Sequence, residues 1–178
     1  MVFIGGNVTL EGDPSPAATE GRLLAFGQGY FPEASSIAGD GRGLHDIHTT
    51  MLYHKKGPAS EEFVRVTEEM RVTSAVFEGE VNDIKLGGKN EDLIIITFRC
   101  PLFQEYVDNL WKAVEQATGE TPEMTKFYMY YKGVSPHVTI AEFKTRLDAR
   151  RAMDRIHASP ASWFYGRGVT LSGFTIVE

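Results

Sequence analysis

Between the Gly87-Gly88-Lys89-Asn90 turn and Pro101 runs Leu93-Ile94-Ile95-Ile96-Thr97-Phe98, a stretch with no charge and no helix breaker. A short, continuously apolar run of this kind reads as a central strand buried on both faces. It obliges the chain to build a sheet with cover above and below it, and the rest of the sequence supplies the parts. Residues 1–10 are strand-like, Pro16 opens a helix to about Gly27, and Tyr30 to Gly43 reads as an irregular loop rich in Gly, Ser and Pro. Strands are predicted at Ile47–Tyr53, Ser74–Leu86, Asp92–Cys100, Pro136–Phe143 and Val169–Val177, with a further short one at Tyr128–Tyr131. Helices are predicted from Pro58 to Met70, from Pro101 to Ala117 and, behind the capping box Thr145-Arg146-Leu147-Asp148, to about His157. The third helix puts Leu102, Phe103, Tyr106, Val107, Leu110, Trp111 and Val114 at helical spacing, and the last puts Ala149, Ala152, Met153 and Ile156 inward. The fold class is therefore α+β, strands and helices mixed around one mixed sheet, and residues 1–178 form one domain.

Charge and cysteine usage narrow the function classes. A net charge of −6 and a pI near 5.4 disfavour a protein that coats long nucleic acid, without disfavouring a small phosphate-bearing ligand. No apolar run is long enough to span a membrane, and the start Met1-Val2-Phe3-Ile4-Gly5-Gly6 lacks the basic region of a secretory signal, which places the chain in the cytoplasm. The single cysteine, Cys100, reads as a small buried residue.

Two segments carry the chemistry. His48-Thr49-Thr50-Met51 and His137-Val138-Thr139-Ile140 both read His-x-Thr-apolar, and both fall in predicted strands. Residues two apart in a strand share a face, so each motif sets one imidazole beside one hydroxyl. Ser and Thr make up 23 of the residues, so one match is weak, and either histidine alone reads as structural. Two matches, both on strands, read as a site. One neutral imidazole can take a proton while an imidazolium gives one, and threonine hydroxyls can donate to phosphoryl oxygens. Nothing in that set requires a metal or another cofactor, and no carboxylate stands at metal-ligand spacing beside a histidine.

These paired motifs resemble the 2H phosphoesterase superfamily, whose members include the LigT-type 2′,3′-cyclic phosphodiesterases of RNA metabolism. The segments Ile47-His48-Thr49-Thr50-Met51-Leu52-Tyr53 and Ser135-Pro136-His137-Val138-Thr139-Ile140 are similar to the bacteriophage anti-CBASS enzymes, which destroy cyclic oligonucleotide signals of antiphage defence. Lys55-Lys56, the aromatic helix after the apolar strand, and the lead-in Phe127 to Tyr131 fit that branch. The resemblance runs from Leu44 to Phe143 and beyond it holds only in element order. It implies two pseudo-symmetric sheet lobes around a central cleft, helices outside, with His48 and His137 as the acid/base pair and Thr50 and Thr139 as phosphate binders. It does not assign base and acid between the histidines. The implied reaction is hydrolysis of 3′–5′ bonds in a cyclic di- or trinucleotide in the bacterial host cytosol. The alternatives are a 2′,3′-cyclic phosphodiesterase of RNA ends and a non-catalytic cyclic-nucleotide sponge.

Around the motifs, Tyr53, Tyr130 and Trp163 are candidates for stacking on nucleobases, with core packing the competing role, and Lys55 and Lys132 are candidates for attracting phosphate. His45 and His54 read as loop or surface residues, His157 as a cation closing a helix, and Gly87-Gly88 as a hairpin turn.

Overall fold

Each helix begins where its first amides find a partner or are not needed. The computed structural model describes residues 2–44, 46–54, 60–119, 135–158 and 164–178. The N-cap hydroxyls of Ser15 and Ser60 accept the amides of Ala18 and Phe63 at 3.2 Å each, opening α1 (Pro16–Tyr30) and α2 (Glu61–Glu69). Thr145 does the same for Asp148 at 3.1 Å ahead of α4 (Arg146–Ala158). Proline occupies the first turn of α1 and of α3 (Pro101–Thr118), and α3 ends on Gly119 at φ 71°, a left-handed exit suited to glycine.

The strands are β1 (Val2–Leu10), β2 (Ser36–Ile37), β3 (Thr49–His54), β4 (Phe77–Gly87), β5 (Leu93–Arg99), β6 (His137–Glu142) and β7 (Gly168–Val177). They form one seven-stranded sheet in the order β2-β6-β5-β4-β7-β1-β3. The class is α+β, but the sheet is not mixed: every described ladder is antiparallel. β5 is the interior strand its sequence demands, with Ile94 to Phe98 all buried.

The element series repeats. β1-α1-β3-α2-β4 is followed by β5-α3-β6-α4-β7, and among the described strands only the two-residue β2 has no counterpart. The last strand of each series pairs with the first strand of the other: β4 with β5, and β7 with β1. The two halves of the sheet share the ladder of Phe77–Glu80 with Gly168–Leu171, extended by the backbone bonds of Val81 with Arg167 and Gly166. Beyond it the far portion of β4 pairs with β5 alone and that of β7 with β1 alone, so the sheet divides into a first lobe (β7-β1-β3) and a second (β4-β5-β6-β2). The sheet also curls. Four strands separate β3 from β6 in the ladder order, yet the two come into contact.

The helices pack in crossed pairs, α2 beside α3 and α1 beside α4. Phe103 of α3 and Phe174 of β7 join Phe77 in one aromatic knot, with ring centroids 5.3 to 6.1 Å apart. Phe26 and Phe31 pack on Phe164 and Phe143 in another, at 5.3 and 6.0 Å. One continuous set of buried apolar side chains runs through both.

Several local expectations change. Leu102 is 67% exposed, outside the buried stripe of α3 that starts at Phe103, and Val66 joins Phe63 and Thr67 in the buried stripe of α2. Ser74 belongs to a 3-10 turn, Val72–Ser74, and the hairpin turn starts at Gly88 (φ 79°), with Gly87 still in the ladder. His54 is the last residue of β3, opposite Val2, and not a loop residue. His157 is exposed in the last turn of α4, and Cys100 is buried with its thiol against the Glu78 carbonyl at 3.4 Å. His45 and the Tyr128–Tyr131 strand lie outside the described residues.

Candidate functional site

The two His-x-Thr segments adopt the same local structure. Across 48–53 and 137–142 burial follows one pattern: His and Thr half-exposed, the residue between them buried, the next two buried, the sixth half-exposed again. The ladder explains the doubled burial. Leu52 pairs with Ile4 and Thr50 with Gly5, so Met51 has no ladder partner. Ala141 pairs with Ile94 and Thr139 with Ile95, so Ile140 has none in β5, while on the other side its carbonyl accepts the Ala38 amide at 3.0 Å. Each motif strand thus carries a one-residue bulge directly after its threonine, a device that re-aims side chains near a sheet rim. His137 begins β6, whereas His48 stands one residue ahead of β3 and keeps the alternation of the strand it leads into.

The histidines are held alike as well. His48 Nδ1 lies 2.9 Å from the Asp46 carbonyl, and His137 Nδ1 lies 3.1 Å from the Ser135 carbonyl, in each case the backbone two residues earlier. A carbonyl only accepts, so Nδ1 is the protonated nitrogen in both rings, and Nε2 is the one that gives or takes a proton. Burial pushes the His137 pKa below its ordinary 6.5, and the cations of Lys85 and His48 push the same way against the opposing Ser135 hydrogen bond. The strands that carry the two motifs, β3 and β6, are in contact, so the curled sheet brings the motifs together.

The segment leading to His48 is braced from α1. Glu20 accepts the Ile47 amide and hydrogen-bonds the Asp46 side chain; burial first, then the Asp46 carboxylate, raises the proton affinity of Glu20 above the usual carboxylate range. Upstream, Asp40 accepts the amides of Ile37 at 3.0 Å and Arg42 at 2.8 Å, closing the Gly39–Gly43 loop.

Directly opposed residues of antiparallel strands project to one face, so the register defines what surrounds each motif. In the first lobe the cross-strand rows are Thr175–Gly5–Thr50 and Val177–Phe3–Tyr53. In the second they are Asp83–Thr97–His137, Lys85–Ile95–Thr139 and Gly87–Leu93–Glu142. Tyr53 therefore lies on the motif face, its ring 6.4 Å from that of Phe3 in a stacked arrangement, and Phe3 lies 5.7 Å from the His48 ring. A cleft of about 260 Å³ opens here, lined among others by Phe3, Gly5, Asn7, Asp46, His48 and Thr175. A larger groove of about 520 Å³ follows the free edge of β4 against α4 and holds neither motif.

The structure thus brings His48, Thr50, His137, Thr139 and Tyr53 onto one face, while Lys55, Tyr130, Lys132 and Trp163 lie outside the described residues. Sequence reading missed Phe3, Gly5, Asn7 and Lys85. The alternation of Val2, Ile4, Val8 and Leu10 inward marks Phe3 and Asn7 as facing the other way, but only the register shows that this other side is the motif side.

No described protein family matches the chain, and neither does any curated protein. In structure it is similar to TT0787 of Thermus thermophilus, known from a crystal structure, with 18% identity over 99% of this chain and 87% of that one and a TM-score of 0.62. At that identity the likeness concerns the fold.

Proposed function

We propose that the chain is a phosphodiesterase of the 2H type, working by proton transfer between two histidines. The observation that carries this reading is the duplicated clamp: two imidazoles, each tied through Nδ1 to the carbonyl two residues back, each with a threonine on its own face. A structural histidine has no reason to be repeated with its threonine, its bulge and its tautomer. Acid–base cleavage needs two titratable groups held in complementary states.

In this mechanism His137, whose proton affinity is depressed, is the base. Its Nε2 takes the proton of the attacking oxygen, a neighbouring 2′-hydroxyl or a water, as that oxygen bonds to phosphorus. The His48 imidazolium gives its Nε2 proton to the leaving 5′ oxygen as the P–O bond breaks. Thr50 and Thr139 donate hydrogen bonds to the non-bridging oxygens, where charge grows. Both proton transfers are complete without a Lewis acid. The substrate class we propose is a cyclic di- or trinucleotide opened at a 3′–5′ bond, as in the anti-CBASS enzymes that the motif wording resembles, acting in the host cytosol. The acidic balance of the chain fits a compact ligand better than an RNA end threaded from a long polyanion.

The test is incubation of the protein with cyclic dinucleotides in excess EDTA from about pH 5 to pH 9, followed by chromatography of the products. Cleavage is expected, and His48→Ala and His137→Ala should each lose about a hundredfold or more in rate. Absence of cleavage across that range overturns the reading. Faster turnover of 2′,3′-cyclic nucleotides moves the substrate to RNA ends, and stoichiometric capture by the double variant makes the protein a sponge.

A further inference from the structure

The two lobes match in everything that holds His-x-Thr and differ in what lies beside it. Where the first lobe has Gly5 opposite its threonine, the second has Ile95; where the first has Phe3 and Tyr53, the second has Leu93 and Glu142; where the first has Thr175, the second has Lys85. The second lobe is thus filled and charged at these positions, and the first is open and aromatic. Gly5 leaves room for the Phe3 ring: a Cβ there would stand 2.8 Å from that ring and 3.8 Å from the His48 ring. Any side chain at position 5 would displace the Phe3 ring that leans over it toward His48.

We infer that the first-lobe cleft is a subsite for one flat heterocyclic ring of the nucleobase type, with Phe3 as its platform and Asn7 and Thr175 as polar partners for the ring edge. The inference rests on the phosphodiesterase reading for the identity of the ring and on the cleft itself for its existence. Size limits the occupant. Sites for whole drug-sized ligands occupy roughly 300–1,000 Å³, so a cleft of about 260 Å³ beside His48 takes one ring of a larger ligand and leaves the phosphate at the histidines. The aromatic pair is sequence-tolerant, since every base has a π face, while the Asn7 amide offers both a donor and an acceptor. Ring to the first lobe and charge toward Lys85 in the second would fix which way round a substrate lies.

The probes are adenosine 5′-monophosphate and ribose 5-phosphate, titrated separately into isotope-labelled protein and followed through backbone amide resonances. The nucleotide is expected to shift the amides of Phe3 to Asn7, Tyr53 and Thr175, and ribose 5-phosphate to leave them in place. Phe3→Leu keeps the apolar bulk and removes the ring; it should weaken nucleotide binding at least about fivefold, and Phe3→Trp should retain it. The same spectra report whether each variant is folded, and the wild-type comparison needs no variant. Equal affinity for both probes, shifts confined to other residues, or no shift at millimolar nucleotide overturns the subsite. Because none of these readouts uses turnover, nucleotide binding here without any cleavage of cyclic dinucleotides would leave the subsite standing and remove only the enzymatic reading.

Discussion

At the scale of single residues, the two motifs are each other's controls. Thr49 and Val138 hold the same position between histidine and threonine, and both are buried, but the Thr49 hydroxyl has no hydrogen-bond partner among the described residues. A buried hydroxyl left unpaired costs stability, and valine has nearly the same shape. Thr49→Val should therefore raise stability by about 1 kcal/mol, read as a higher urea midpoint with unchanged slope, and should leave turnover unaffected. A fall in turnover would show that the hydroxyl serves the site. His137 gives the pH prediction. Its folded pKa lies below 6.5, so as the base it stays neutral and active below that pH, and the acid limb of kcat/KM falls there. Lys85→Met removes a neighbouring cation, raises the proton affinity of His137 and moves that limb to higher pH, whereas Lys85→Arg leaves it in place. Asp83, in the same cross-strand row as His137, stays in both variants.

At the scale of elements, much was legible. The pairing of imidazole and hydroxyl on one face followed from strand period alone, and the helix start expected at Thr145 is present in the structure, its hydroxyl accepting the Asp148 amide at 3.1 Å. Thr145→Ala should lower stability by about 1 kcal/mol in the same urea measurement, with no effect on turnover since the cap lies on the outer layer. What stayed hidden was relational. Nothing local in Phe3 or Lys85 says which strand it will face, because register is set by pairing between segments far apart in the chain. The bulges at Met51 and Ile140 were hidden for the same reason: an apolar residue after His-x-Thr looks like an ordinary inward residue until its missing partner is seen. The two-residue β2 was too short to leave a periodic signal, and it exists through its pairing with Glu142 and Ala141.

At the scale of the molecule, the exchange of β4 and β7 makes each half depend on the other. Residues 1–89 alone would lack β7 beside β1 and leave β4 without β5, and residues 90–178 alone would have the converse gaps. Neither fragment should show a cooperative unfolding transition, while an equimolar mixture should recover one, by circular dichroism. A transition in either fragment alone would mean that the exchange matters less than the ladders indicate. The bulge after each threonine has a consequence of another kind. An extra residue resets the alternation of a strand, so the part beyond it can drift in sequence without turning the His-Thr pair away from the cleft. The tails past the two bulges are indeed unlike, Tyr53 against Glu142, while the heads are alike. Such a joint divides one strand into two parts: a head that sets the His-Thr geometry and a tail whose side chains differ between the lobes.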